Sequence, residues 1–166
     1  MSKAKKGMAY TRLEYIHRVP LSRITRFTLG DNTAEYDYQV SLIASNNAMI
    51  SSNALEAIRI TTNKNLTRLL GPDTYNLKIV RYPHEIVREH KFMSFAGADR
   101  LSQGMGHAFG RPTKRAAKVS TGQKIITISV KKEGIDAAKI ALKRSSKKLP
   151  VKNKIMIEPI QDHENN

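Results

Sequence analysis

The residue types that could do covalent, metal or cofactor chemistry gather between Lys91 and Lys118, in KFMSFAGADRLSQGMGHAFGRPTKRAAK. Ser94 or Ser102 with His107 and Asp99 would supply a nucleophile, a base and an orienting carboxylate. A flexible loop fixes no geometry among them, and no G-x-S-x-G elbow occurs in the chain. Gly104 to Gly110, GMGHAFG, resembles a dinucleotide fingerprint with one residue too many before its last glycine. It also lacks a clean strand pattern before it and a helix pattern after it. The histidines at 17, 84, 90, 107 and 163 include no i,i+4 pair beside a glutamate, and the chain has no cysteine, so zinc spacing is absent. No cofactor or metal is expected, and an enzyme is the weakest class.

What remains is non-covalent chemistry, carried by cations and rings. Twenty-nine Lys plus Arg face fourteen Asp plus Glu, a formal charge of +15. Self-repulsion of that size is most simply relieved by a polyanion, with nucleic acid as the leading candidate. No apolar run approaches the roughly 20 residues of a membrane-spanning helix, and the N-terminus MSKAKKGMAY lacks a signal-peptide apolar core. A soluble intracellular chain that binds no membrane is expected.

Three stretches carry the candidate RNA contacts. In YTRLEYIHRVPLSRITRF, Tyr10 and Tyr15 interleave with Arg12, Arg18, Arg23 and Arg26. That pattern suits base stacking with phosphate pairing; it equally suits a solvated segment whose tyrosines cover the edge of the core. In the central stretch the candidates are Lys91, Arg100, Gln103, Gly104, Met105, His107, Arg111, Lys114, Arg115 and Lys118. Phe92, Met93, Phe95, Leu101, Met105 and Phe109 make this stretch too apolar for ordinary disorder. It reads as a functional loop over 93–114 that orders against something outside the protein. The third stretch is a helix face with Lys139, Lys143, Arg144, Lys147 and Lys148, dense in charge and without i,i+4 acidic partners.

The elements that must position these groups follow from periodicity and punctuation. At 166 residues and 40% hydrophobic content, one domain with a real core is expected. A basic tail covers residues 1–9 and a polar, disordered tail 159–166. Ser22 to Leu29 reads as a short strand before the turn at Gly30-Asp31-Asn32, and Tyr36 to Ala44 as a strand with Tyr38, Val40 and Leu42 on one face. Asn53, with Glu56 three residues on, is the expected N-cap of a helix. Its buried stripe would be Leu55, Ile58, Thr62, Leu66 and Leu69, and Gly71-Pro72 would end it. Thr74 to Tyr82 and Glu85 to Lys91 read as strands. Ala116 to Ser120 and Lys124 to Lys131 read as a hairpin across Thr121-Gly122. A second helix over 135–148 buries Ile135, Ala138, Leu142, Ser145 and Leu149, and a last strand runs from Asn153 to Glu158. Strands outnumber helices and follow one another directly. The expected fold is therefore α+β: a two-layer α/β sandwich, its mixed or antiparallel sheet covered on one face by both helices, with a long protruding loop.

Several of these residues resemble a known family. AGADR at 96–100 with GM-x-x-AFG at 104–110 is similar to the universal large-subunit ribosomal protein called L-ten-e in archaea and eukaryotes and L-sixteen in bacteria. YTRLEYIHRVP at 10–20 resembles its archaeal N-terminal pattern, NALEAIRITTNK at 53–64 its first helix, and YPHEIVREHK at 82–91 agrees as well. The resemblance implies a non-enzymatic constituent of the cytoplasmic large ribosomal subunit, bound to its rRNA among other large-subunit proteins and not a homo-oligomer. It also implies that the central loop, with Arg100 and the Gly104-Met105 step, lies near the peptidyl-transferase centre and the tRNA sites. Two departures stand out. Gly106-His107 follows Gly-Met where the family usually has an arginine, and His17-Arg18 replaces the common Arg-Gly before Val-Pro. The rival class is a free-standing RNA-binding regulator, although no helix-turn-helix, RRM signature or KH glycine loop is evident.

Overall fold

A computed structural model describes residues 12–91, 106 and 109–160. Among them are strands β1 (Thr28–Gly30), β2 (Tyr38–Ala44) and β3 (Ala48–Ser51), helix α1 (Ser52–Leu70), and strands β4 (Asn76–Ile79), β5 (Glu85–Glu89), β6 (Arg111–Val119) and β7 (Lys124–Val130). Helix α2 (Ile135–Ser146) and strand β8 (Asn153–Pro159) complete the order. Every strand pair is antiparallel. The class is α+β, as expected, but the strands divide between two sheets. One has the order β1-β4-β7-β2-β8 and the other β3-β6-β5.

That division overturns the expected hairpin. β6 pairs with β3 and β5, whereas β7 pairs with β2 and β4. The link between β6 and β7 is fastened to the link between β2 and β3. Gly122 N–H donates to Ala44 O (2.8 Å), Ala44 N–H donates to Gln123 O (3.0 Å), and Thr121 N–H donates to Asn47 Oδ1 (2.8 Å). Two chain crossings are thus stitched side by side, and each carries the chain from one sheet to the other. A turn signal between two alternating runs cannot distinguish such a corner from a hairpin. β3, four residues running directly into α1, is too short to show a period in the sequence.

One core spans both sheets. Val40 and Leu42 of β2, Leu77 of β4 and Ile126, Ile128 and Val130 of β7 meet Leu55, Ile58 and Leu66 of α1, and Ala138, Ala141 and Leu142 of α2. Ile50, Ala117 and Val119 join the same cluster from the smaller sheet. Helix α1 starts two residues earlier than expected. Ser51, still in the extended backbone of β3, is the N-cap, and its Oγ accepts from Ala54 N–H at 3.3 Å. Asn53 lies exposed in the first turn. At the other end Gly71 takes φ +91, a left-handed value that suits glycine after a helix. The buried stripe passes from Leu66 to Leu70, which packs against the core, and Leu69 is exposed. Four-residue spacing continues the row that Ile58, Thr62 and Leu66 begin.

Several boundaries move, and α2 ends at Ser146, so Lys147 and Lys148 follow the helix rather than belong to it. β1 holds only Thr28–Gly30 of the longer strand expected, and β6 begins at Arg111, so Arg111 to Lys114 are strand rather than loop. Pro159 closes β8, and Ile160 N–H donates to Asp37 O (2.9 Å), so these two residues are not tail. The basic tail 1–9 and residues 161–166 lie outside the described residues. β8 forms one edge of the larger sheet. Ile155, Met156 and Ile157 are all exposed there, beside an exposed Ile140 on α2.

Candidate nucleic-acid interface

Three anchors tie the N-terminal segment to the fold, one of them on the smaller sheet. Ile16 and Ile24 are buried, and Arg115 of β6 donates its Nε–H to Pro20 O at 2.9 Å. Arg12, Arg18, Arg23 and Arg26 are all exposed, and so is the Tyr15 ring. The segment therefore turns Ile16 and Ile24 inward and its cations outward, with Leu13, Val19 and Leu21 exposed among them. Arg115 commits its Nε–H to the protein, and its other guanidinium N–H groups are further donors.

The β5–β6 pair forms the base of the central loop. Its register shifts between Val87 and Arg88: Val87 faces Lys114, but Arg88 faces Pro112. Thr113, the residue skipped, donates its hydroxyl to Val87 O at 3.0 Å. Bulges of this kind re-aim side chains. Beyond it, the Arg88 guanidinium carbon sits 4.1 Å from the centroid of the Phe109 ring, a cation–π contact. Phe109 is nevertheless 66% exposed. Gly110 follows because the strands close tightly here. A Cβ at Gly110 would lie 3.0 Å from Glu89 C and 3.1 Å from His90 N. Arg88, His90, Phe109 and Gly110 line an open cavity of about 450 Å³. Lys91 and Arg111 are exposed around this end of the sheet and Lys114 is half-buried, whereas Lys118 is exposed at the far end of β6, opposite Met49.

The cations of α2 are less free than their spacing suggests. Lys139 Nζ pairs with Asp136 at 3.0 Å, an i,i+3 partner that a search for i,i+4 acids passes over. Arg144 donates to Asn65 Oδ1 of α1 at 2.7 Å, bridging the two helices. Lys143, Lys147 and Lys148 are exposed and have no ion pair among the described residues. A row of rings lies elsewhere: Phe27 stacks on Tyr82 (5.2 Å between centroids), and Tyr82 meets His84 at 4.6 Å.

The expected site residues that are described thus fall on β5–β6, on and just beyond α2, and along the N-terminal segment. Tyr10, Arg100, Gln103, Gly104, Met105 and His107 lie outside the described residues. Sequence reasoning missed Arg88 entirely and counted Phe109 only as one apolar loop residue. The available signal was an aromatic residue just before Gly-Arg-Pro, with an arginine in the preceding strand. Among the described residues no group of three His, Asp or Glu could hold a metal ion, and no helix is long and apolar enough to cross a membrane.

Comparison with known proteins bears on the whole chain. The profile of the family described as ribosomal protein L16p/L10e matches residues 5–156. The large ribosomal subunit protein uL16 of Hyperthermus butylicus is 44% identical over 161 residues, covering 97% of this chain and 89% of that protein. The same-named proteins of Saccharolobus islandicus and Saccharolobus solfataricus are 48% and 47% identical over 157 residues, covering 93% of this chain and 88% of each. By the extent of that match, the chain belongs to the ribosomal protein L16p/L10e family.

Proposed function

We propose that this protein is a structural constituent of the large ribosomal subunit in the cytoplasm and not an enzyme. It binds large-subunit rRNA through the N-terminal segment, the β5–β6 end of the smaller sheet and the lysines of α2. It holds the loop over 93–114 near the peptidyl-transferase centre and the tRNA sites, and it neighbours other large-subunit proteins. The observation that carries this reading is the family match over nearly the whole chain. The physics is consistent with it. A chain of +15 displays Lys and Arg on two surfaces and buries an apolar core between them, and each phosphate neutralised releases counterions from the RNA.

Within the loop, Arg100 stands in AGADR, where small neighbours would let a guanidinium fork onto an RNA backbone. Sedimentation of the native protein through a sucrose gradient at moderate salt tests the reading as a whole. Co-migration with large subunits is expected; recovery only at the top of the gradient would favour the free-standing regulator. For the loop, ribosomes carrying Arg100→Ser should translate poorly while the free variant melts like wild type, with Arg100→Lys rescuing in part. Normal translation by the serine variant would remove Arg100 from the function.

A further inference from the structure

We propose that Arg88 and Phe109 form a receptor for a single unpaired RNA base, which stacks on the open face of the Phe109 ring. The proposal rests on the RNA-binding reading above and adds a base contact to a surface otherwise suited to phosphates. Three observations carry it. First, the guanidinium over Phe109 occupies one face only, because the ring is still 66% exposed. The exposed ring offers apolar surface that a stacked base would remove from water. Second, the ring is held in place. The chain on its C-terminal side is pinned where Gly110 meets the backbone of Glu89 and His90, and the bulge at Thr113 sets the register that brings Arg88 beneath it. A platform fixed before binding loses little freedom when a ligand lands on it.

Third, the surroundings select the ligand. Lys91 is exposed one residue beyond His90, and Arg111 is exposed one residue beyond Gly110. A base on the ring would carry its own phosphates toward these cations. Stacking on an aromatic ring or an arginine plane is how proteins take unpaired bases, whereas a paired base keeps both faces inside its helix. An apolar peptide side chain would gain nothing from the flanking cations.

The test compares the full-length chain and Phe109→Leu on an unstructured single-stranded RNA and on a blunt RNA duplex of equal length. The leucine variant should lose about tenfold in affinity for the single strand and change less than about twofold on the duplex. Its salt dependence should stay the same, since every phosphate contact is kept. Phe109→Tyr should bind as wild type does. Equal losses on both RNAs, no loss on either, or a tyrosine variant as weak as leucine would overturn the stacking receptor while leaving the RNA-binding reading in place. Failure of the wild-type chain to bind either RNA would overturn both. The exposed ring lies outside the core, and matching circular dichroism spectra check that each variant folds.

Discussion

On α2 and just beyond its C-terminal end, exposed lysines project from a helix whose other side is locked into the core, and each reaches solvent on a long flexible stem. At the β5–β6 end the cation that matters is laid flat on a ring, in a register fixed by a bulge and a glycine. The first arrangement supplies charge without direction: it can meet phosphates of any RNA at many spacings. The second supplies direction with little net gain in charge. In the proposed role, one molecule would separate the two tasks of RNA binding, general attraction and local fit, onto different surfaces.

The largest expected effect removes the first surface. Replacing Lys143, Lys147 and Lys148 together by Gln should weaken binding to any RNA by about two orders of magnitude near 0.1 M salt. The log–log salt slope should flatten by up to about 2.7, roughly 0.9 for each phosphate no longer neutralised. Filter binding across a salt series measures it, and a slope unchanged from wild type would hand this face to solvent. A sharper form compares single lysines. Lys143→Gln should cost several-fold in affinity, while Lys139→Gln should cost less, because Asp136 already holds the Lys139 ammonium. Equal losses would mean that the ion pair opens on binding.

The second surface is challenged through its backbone. Gly110→Ala forces a Cβ against Glu89 and His90, and it should lower stability by about 1 kcal/mol in urea titration. Preference for single-stranded over duplex RNA should fall with it, and the salt slope should not. The smallest effect lies away from both surfaces and serves as a control. Arg59 donates two hydrogen bonds to Glu56 on α1, and this holds the Glu56 carboxyl below its ordinary value. A depressed carboxyl stabilises the fold above the unfolded-state pKa and loses that contribution as pH falls through the folded one. Glu56→Gln should therefore cost about 0.5 kcal/mol at neutral pH and nothing once Glu56 is protonated in both states. RNA affinity should be unchanged.

The sequence makes some of this visible and hides the rest for identifiable reasons. The α1 stripe and its Gly71 stop, the inward row of β7 and the buried side of α2 are readable because periodicity reports which face is buried. Periodicity does not report the neighbour, so β6 reads as the partner of β7 although a corner separates them. Ser51, Ser52 and Asn53 are all competent caps, and the choice among them depends on where the extended backbone of β3 ends. Charge is readable as a sum. Its pairing is not, since Lys139 with Asp136 and Arg144 with Asn65 depend on rotamers and on how the helices dock. The Arg88–Phe109 contact is hidden most deeply, because it exists only through the shifted register of two strands joined by a long loop. The proposed loop residues from Arg100 to His107 rest on sequence alone.

The open edge at β8 has a practical consequence for the isolated protein. Among the described residues its outermost strand has no partner on its outer side, beside Ile155 and Ile157, a template to which another copy can zip. At low ionic strength the +15 charge holds copies apart. Salt strong enough to strip away RNA also shortens the reach of that repulsion, to roughly 3 Å at 1 M. Purification thus sets two demands against each other: the wash that frees the chain of nucleic acid is the condition under which it clumps, and dilution or rapid return to low salt is what keeps it in solution.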